Sequence, residues 1–175
     1  MGIFTNTEFN SLEDLLVDQL KDLYDAENRL VDALPKMADA ATTPSLREAF
    51  SSHLLQTRNH VTRLEQGFNL LGIQPARETC QAMKGLIAEG SQVIDAKGNL
   101  TVRDAALIAA AQRVEHYEMA GYGSARTFAE QLDLSDLAEL LQSTLDEEGD
   151  TDEKLTELAV NEINVEAIRT YSPTV

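Results

Sequence analysis

Three glutamates, Glu27, Glu115 and Glu148, stand in stretches whose other residues predict an apolar helix face. When residues are placed at about 100° each around a helix axis, all three fall near mid-helix on the side of the leucines, isoleucines and alanines. An isolated carboxylate in a dry core is costly, so it persists there only if it is paired, protonated or bound to a metal. Because most basic residues of these helices fall on polar faces, metal binding is the favoured interpretation.

A second predicted helix carries imidazole and amide groups instead of acids. His53, Gln56 and His60 form a line along the edge of its apolar stripe, with His60 at the rim and Thr57 at the centre. Each histidine is either a ligand or an ordinary polar neighbour. Carboxylates combined with one or two imidazoles suit iron or manganese, and zinc also binds such groups. The pattern predicts a bundle interior that holds two divalent metal ions, which are iron or manganese or else zinc.

Two further acids are candidates with an equally simple alternative. Glu118 flanks the face on which Glu115 lies, and Asp152 lies one turn after Glu148, whereas Glu147 faces the rim. Either candidate could instead lay its stem along the core and keep its carboxylate in water. No catalytic residue is assigned. The candidate metal ligands are Glu27, His53, Gln56, His60, Glu115, Glu118, Glu148 and Asp152.

The tyrosine and histidine rings near these acids are predicted to face either outward or into the core. Tyr24 and Tyr117 fall on outward faces, and His116 points toward solvent or a partner subunit. Tyr122 falls inward, two turns from Glu115. It is predicted to be either an ordinary core tyrosine or a hydrogen-bond partner of a metal ligand.

Four long amphipathic helices must position these groups, and the first two are closely spaced. Leucines at steps of three and four predict a helix over 11–41, with Pro35 either kinking it or marking the start of its last turns. Thr43 as N-cap and Pro44 at the first helical position begin the second helix. That helix is predicted to end at Gly72.

The third and fourth helices follow a long connection. Thr101 followed by Asp104 is predicted to start the third helix, and Leu134 with Ser135 opens the fourth, whose tail frays toward Pro173. No stretch alternates with a period of two, so no strand is predicted. Short first and third links with a long second link are typical of a ferritin-like four-helix bundle. We therefore predict an all-α, ferritin-like four-helix bundle whose crossover between the second and third helices carries one or two short helices.

Length and composition limit the architecture and the partners. The 175 residues predict one domain over 1–175, with flexible termini at 1–10 and 168–175. A net charge of -16 disfavours nucleic acid as a partner. Neither a membrane span nor a signal peptide is recognised, which predicts a cytoplasmic protein without a membrane partner. Cys80 is the single cysteine, which excludes an internal disulfide and predicts a partly buried thiol.

The order and spacing of these segments resemble the YciF family of bacterial ferritin-like stress proteins. The likeness extends over nearly the whole chain, through SLEDLLVDQLKDLYDAENRLVDALPKMA, AFSSHLLQT, CQAMKGLIAEG, VRDAALIAAAQRVEHYEMAGYGSARTFAEQL and LLQSTLDEEGDTDEKLTELA. The resemblance implies an inward-facing dimetal centre, usually taken as di-iron, in a homodimer induced under stress. By position, YDAE supplies Glu27, VEHYE supplies Glu115 and Glu118, and LDEEGDTD supplies Glu148, with Asp152 as an addition.

Helix two departs from that family pattern. The family tends to have His-Leu-Glu-Glu-Thr, whereas this chain has HLLQT, with Leu55 and Gln56 where two acids would stand. His53 is kept, and the Gln56 carbonyl is still a neutral donor. Since an amide cannot bridge two ions or offset charge as a carboxylate does, the resemblance implies weaker binding of the second ion.

These residues and the resemblance favour a dimetal oxidoreductase of the stress response. Such a protein would react ferrous iron with a small oxidant, oxygen or peroxide, in a ferroxidase or peroxidase-like reaction. A non-enzymatic helical bundle that acts through oligomerisation or partner binding is the alternative. A mini-ferritin storage cage is a third hypothesis, and nothing in the sequence indicates shell-forming interfaces.

Overall fold

The computed structural model describes residues 8–169 of the chain, and the predicted flexible termini therefore lie outside it apart from 8–10 and 168–169. The described residues form helices and connections, with no strand among them. None of these helices combines the length and apolar character that a membrane crossing needs. The helices are α1 (Leu12–Ala40), α2 (Pro44–Leu70), α3 (Gln81–Ile94), α4 (Leu100–Gln131), α5 (Ser135–Leu158) and α6 (Asn164–Arg169), with a π-helical turn at Ala159–Ile163.

The four long helices, α1, α2, α4 and α5, form a bundle in which each packs on two others and all neighbours are antiparallel. Asp104, near the start of α4, bonds Thr42 and Thr43 between α1 and α2, and Tyr122, near the end of α4, bonds Glu27 earlier in α1. Helix α4 therefore begins where α1 ends, so the connection after α2 must travel the length of the bundle. The predicted all-α four-helix bundle with a long crossover is confirmed, and the crossover carries a single helix, α3.

Helix starts agree with the predictions except in α4. Asn99, not Thr101, is its N-cap, because the Asn99 side chain accepts from the backbone N–H groups of Thr101 and Val102. Asp104 has a different role from the predicted one, since its buried carboxylate accepts from the backbone N–H and hydroxyl of both Thr42 and Thr43. These bonds tie the first turn of α2 to α4 and hold the pKa of Asp104 below its usual range despite its burial.

Two irregularities lie in α1 and after α5. Helix α1 continues through Pro35 to Ala40, so the proline lies within a continuous helix five residues before its end. The predicted fourth helix with a fraying tail is instead three successive elements, since α5 gives way to the π-helical turn and then to α6. Ile163 in that turn is buried, which anchors the segment to the end of the bundle.

The bundle core consists of two apolar clusters with a polar layer between them. The first cluster lies toward the α1–α2 link and is built on Leu30, Met37 and Phe50. The second lies toward the opposite end and includes Leu20 and Phe68. Apolar packing at both ends excludes water from the middle of the bundle. The buried polar side chains at mid-length, named here the polar layer, are Glu27, His53, Thr57, His60, Glu115, Glu118, Thr144 and Glu148.

Helices approach each other closely on the side of this layer where the second apolar cluster lies. A Cβ at Gly67 of α2 would lie 2.8 Å from the Leu137 Cδ1 of α5, and one at Gly121 of α4 would lie 2.9 Å from the Leu23 Cδ2 of α1. Real Cβ atoms do not approach so closely, so both positions require glycine unless a leucine moves. These contacts hold α2 close to α5, and α1 close to α4, near the candidate ligands.

Candidate metal centre

All four long helices contribute side chains to the polar layer. Glu27 from α1, Glu118 from α4 and Glu148 from α5 are fully buried, and Glu115 of α4 is nearly so. The sequence places His60 of α2 at the rim, and that prediction is wrong because its ring is fully buried. Helix α5 packs across the edge of the apolar stripe of α2, so a residue at that edge faces a neighbouring helix and not water.

One group of donor atoms, named here position one, consists of Glu27, His60 and Glu148. Each residue offers an atom within 4.8 Å of the others. The His60 Nδ1 lies 3.0 Å from the Glu148 Oε1 and 3.4 Å from the Glu27 Oε1. Neither contact is aligned as a hydrogen bond, so the His60 Nδ1 and both Glu148 oxygens have no hydrogen-bond partner.

A second group, named position two, consists of His53, Glu115 and Glu148. The His53 Nε2 lies 3.5 Å from the Glu115 Oε2 and 3.7 Å from the Glu148 Oε2. Glu148 thus belongs to both positions, with Oε1 toward position one and Oε2 toward position two. A carboxylate shared in this way has the arrangement needed to bridge two cations.

Unpartnered polar atoms collect in this layer. Among the described residues, buried side-chain nitrogen and oxygen atoms without a hydrogen-bond partner are confined to the polar layer, apart from the Nε atoms of Arg103 and Arg126. Such atoms are rare in folded proteins because each costs its full desolvation penalty. In the polar layer they are Glu27 Oε2, His60 Nδ1, Glu115 Oε2 and both carboxylate oxygens of Glu118 and Glu148.

Burial and mutual repulsion shift the proton affinities of the layer. Burial, with repulsion from Glu148 and Glu27, raises the pKa of Glu115 and Glu118 well above their usual range. The pKa of Glu27 rises to about 7 for the same reason, although the nearby His60 ring and the hydrogen bond from Tyr122 oppose the rise. Without a cation, burial and repulsion therefore favour the protonated forms of Glu115 and Glu118 at neutral pH.

His60 and Glu148 each favour the charged form of the other. Burial alone would lower the pKa of His60, but the carboxylates of Glu148 and Glu27 outweigh it and raise that pKa to about 10. Burial would likewise favour a neutral Glu148, yet His60 and His53 keep its pKa below the usual value. A protonated His60 is the one internal cation that partly compensates these acids, and a divalent ion would displace its proton.

The outer nitrogen of His60 is held by a charged pair that the sequence analysis did not find. The His60 Nε2 lies 2.8 Å from the Glu147 Oε2, and Arg63 binds both Glu147 oxygens at 2.9 and 2.6 Å. Arg63 lowers the pKa of Glu147 to about 2. An ionised carboxylate only accepts, so Nε2 carries a proton, and loss of the second proton to a bound ion would leave the Nδ1 lone pair facing position one.

The outer nitrogen of His53 contacts a hydroxyl group. The Thr151 hydroxyl donates to the Glu147 backbone carbonyl, so at 3.3 Å it accepts from the His53 Nδ1. The Nε2 lone pair is thereby directed at position two. Gln56, half-buried, lines the same small cavity as His53. Burial lowers the pKa of His53, so this ring is neutral at pH 7.

Tyr122 and Glu118 complete the interior of the layer. The predicted inward position of Tyr122 is confirmed, and its buried hydroxyl donates to the Glu27 Oε1 at 2.5 Å. Glu118 lies one turn along α4 from Glu115 and is fully buried, yet it belongs to neither donor group. Neither of its carboxyl oxygens has a hydrogen-bond partner, and the charges of Glu27 and Glu148 raise its pKa.

Asp152 and His116 lie outside the layer. Asp152 is half-buried, accepts from the Gln112 Nε2 at 3.1 Å and pairs with the His116 Nε2 at 3.3 Å. It is a member of neither donor group. His116 is exposed, as its helical position predicts.

Two tyrosines predicted to face outward are bound between helices instead. The half-buried Tyr117 donates to Asp22 of α1 and accepts from the buried thiol of Cys80, 3.1 Å away. Tyr24 donates to Glu65 of α2 at 2.8 Å. The prediction is wrong for Tyr117 because α3 of the crossover covers the side of α4 that a four-helix count leaves open. Acidic neighbours on facing helices are a signal that could have found both contacts.

The fold agrees with the comparisons to known proteins. Residues 11–168 match the family described as Domain of unknown function (DUF892), and the chain belongs to that family. Among curated proteins, it is 46% identical to Protein YciF of Escherichia coli K12 over 158 residues, which are 90% of this chain and 95% of that protein. The resemblance found in the sequence is thereby confirmed.

Solved structures of relatives share the fold. The crystal structure of the Escherichia coli stress protein YciF matches with a TM-score of 0.86 and 45% identity over 89% of this chain and 99% of that chain. YcfI of Rhodopseudomonas palustris, for which a structural role has been suggested, matches with a TM-score of 0.85 and 39% identity over 90% of this chain and all of that one. The protein XCC3681 of Xanthomonas campestris, 20% identical with a TM-score of 0.71, shares the fold alone.

Proposed function

We propose that the protein binds two divalent metal ions in its polar layer, iron in preference to manganese or zinc, and uses them to oxidise ferrous iron with oxygen or peroxide. Position one would be held by Glu27, His60 and Glu148, and position two by His53, Glu115 and Glu148. The observation that carries the proposal is that buried donor atoms, several of them without a hydrogen-bond partner, lie in two groups that share the Glu148 carboxylate.

The inventory of donors supports this assignment. Di-iron bundles use four carboxylates and two histidines, with each histidine three residues after a glutamate on its own helix. This layer also contains four buried glutamates and two buried histidines, but both histidines come from α2 and the extra acid, Glu118, comes from α4. Four carboxylates would neutralise the charge of two divalent ions. Oxygen-rich donors with imidazole fit iron or manganese.

Bound iron would supply the one-electron steps between the ferrous and ferric states and open positions for an oxidant. The chain supplies the remaining requirements. Glu148 fixes the spacing of the two positions, and the Tyr122 hydroxyl fixes the Glu27 carboxylate. The flanking apolar clusters exclude water, which strengthens each charge interaction inside.

The cellular setting is part of this proposal. Escherichia coli YciF is called a stress protein, and a role in bacterial stress would suit a protein that consumes ferrous iron and oxidant together. A cytoplasmic location, where ferrous iron is present, is consistent with it. The homodimer stays a prediction.

Metal loading followed by oxygen exposure tests the proposal. Chelator-treated protein is reconstituted with ferrous iron without oxygen, desalted and analysed for metal. About two ions per chain are expected, as in other bundle sites, with rapid ferrous oxidation when oxygen is added. Less than about one ion per chain would rule out the dimetal centre.

A non-enzymatic bundle is the competing function, and Gln56 is the residue that favours it, because it replaces a charged ligand with a neutral amide. In that case the interior acids would only destabilise the fold. Combined Glu27→Leu, Glu115→Leu and Glu148→Leu changes would then raise the melting temperature, and cations would not affect the parent protein. A melting curve that responds to chelator excludes this alternative.

A further inference from the structure

A small cavity connects the surface between α2 and α5 with position two. Its inner wall includes His53 and Glu115, and its outer wall includes Ser52, Gln56 and Lys154. Its volume is about 20 Å³. One water needs about 10–15 Å³, so the cavity admits a molecule of only a few heavy atoms.

The cavity serves position two and not position one. Its lining includes no residue that belongs to position one alone. At position one, Tyr122 covers Glu27, and the Arg63–Glu147 pair covers the outer edge of the fully buried His60. A small molecule from solvent therefore meets position two first.

The chemistry of the cavity mouth selects among small molecules. Lys154 is exposed at the mouth and brings a positive charge to a protein whose net charge is -16. Gln56 and Thr151 add polar groups without negative charge. A carboxylate in place of the Gln56 amide would repel anions here. The mouth residues therefore add one positive charge and no negative charge, which favours a neutral or anionic molecule.

We propose that this cavity is the port through which a neutral or anionic molecule of two or three heavy atoms, of the peroxide class, reaches position two. The loss of an acid at Gln56 is then a feature of access and not only a weakening of metal binding. This inference rests on the proposed dimetal function, because a port is meaningful only if position two holds an ion.

Azide binding to the cobalt-loaded protein tests the port without measuring turnover. Cobalt(II) reports its coordination through visible absorption, and azide is a linear anion of three atoms. Ser52→Trp plugs the mouth at an exposed helix position, and the exposed neighbour Ser51, outside the cavity lining, gives the matched control Ser51→Trp. Circular dichroism melts verify that both variants fold.

We expect azide to change the cobalt spectrum of the parent and of Ser51→Trp alike, and to bind Ser52→Trp about tenfold more slowly or more weakly. Equal azide binding by all three proteins would overturn the port while leaving the metal centre intact. Failure of cobalt to bind the parent would instead refute the dimetal function, and the port with it.

A second pair of variants keeps the test independent of the tryptophan plug. Gln56→Glu should bind cobalt at position two more tightly and azide more weakly than the parent, because it adds a negative ligand at the mouth. Lys154→Glu should weaken azide binding in low salt, with the difference shrinking as salt screens the charge. The exposed Lys84→Glu, on α3, is the control for net charge. Azide binding that ignores the charge at both Gln56 and Lys154 would also overturn the port.

Discussion

Positions one and two share Glu148 but differ in support and in access. The histidine of position one is backed by an ionised carboxylate that a guanidinium holds in two bonds. The histidine of position two is backed by the Thr151 hydroxyl and lies beside a cavity that reaches the surface. A charged backing group raises the basicity of a histidine ligand. If each position holds an ion, this difference predicts tighter binding at position one and easier access from solvent at position two.

Removal of the shared ligand should break both positions at once. Glu148→Ala takes one oxygen from each donor group, and no apolar neighbour can replace it. We expect metal content after reconstitution to fall from about two ions per chain to nearly none. The control is Glu153→Ala, an exposed acid on the same helix. A variant that still holds two ions would show that Glu148 does not bridge them.

Replacement of the histidines should separate the two positions. In calorimetric titrations with manganese, His60→Gln should remove the tighter of two binding steps, and His53→Gln should remove the weaker one. The exposed His116→Gln should leave both steps unchanged. If both substitutions at buried histidines remove the same step, the assignment of one histidine to each position is incorrect.

Removing the charge of Glu147, which contacts the His60 ring, should weaken metal binding at position one more than at position two. Glu147→Gln keeps a hydrogen-bond acceptor near the His60 ring but removes the charge that binds Arg63. Outer groups of this kind change metal affinity by about 10–100-fold, so the tighter step should weaken by that order while the other changes less. Asp146→Asn, at an exposed neighbouring position, is the control. Equal losses at both steps would remove the proposed difference between the two positions.

The pH dependence of stability should differ between metal-free and loaded protein. In the metal-free layer, the pKa of His60 is raised to about 10, and the pKa values of Glu115 and Glu118 are also raised. Above about pH 6.5, the folded chain therefore keeps protons on these groups that the unfolded chain has released. A folded state that binds more protons loses stability as pH rises. The lowered pKa of His53 has the opposite sign but acts only below about pH 6.5.

Urea denaturation with chelator should therefore give a lower free energy of unfolding at about pH 8 than at about pH 6.5. Because each ion displaces protons, the stabilisation by added zinc should grow over the same interval. Metal-free protein whose stability rises with pH across this range would contradict the proton-filled layer.

The sequence predicts the helices and the inward acids well because both depend on one strong periodicity. Glu27, Glu115 and Glu148 each lie within an apolar stripe, and a period of 3.6 residues locates a stripe centre to within about one residue. All three are buried in the structure. Their ligation of metal is a proposal, and the periodicity itself speaks only to their direction.

Positions at stripe edges are harder to predict because their exposure depends on the neighbouring helix. His60 falls at such an edge, and α5 buries it. Tyr117 falls beyond the edge, yet the crossover helix α3 brings Cys80 against it. Helix capping shows the same dependence, since Asp104 caps the distant α2 while Asn99 caps its own helix. Long-range packing decides these cases, and local sequence patterns do not encode it.

Anomalous diffraction from crystals of manganese-loaded protein tests the central claim most directly. We expect two peaks about 3.5–4 Å apart in the polar layer, as in other two-metal sites, with one Glu148 oxygen on each ion. His60 should contact one ion through Nδ1 and His53 the other through Nε2. A layer without peaks at saturating manganese, or two ions that do not share Glu148, would contradict it.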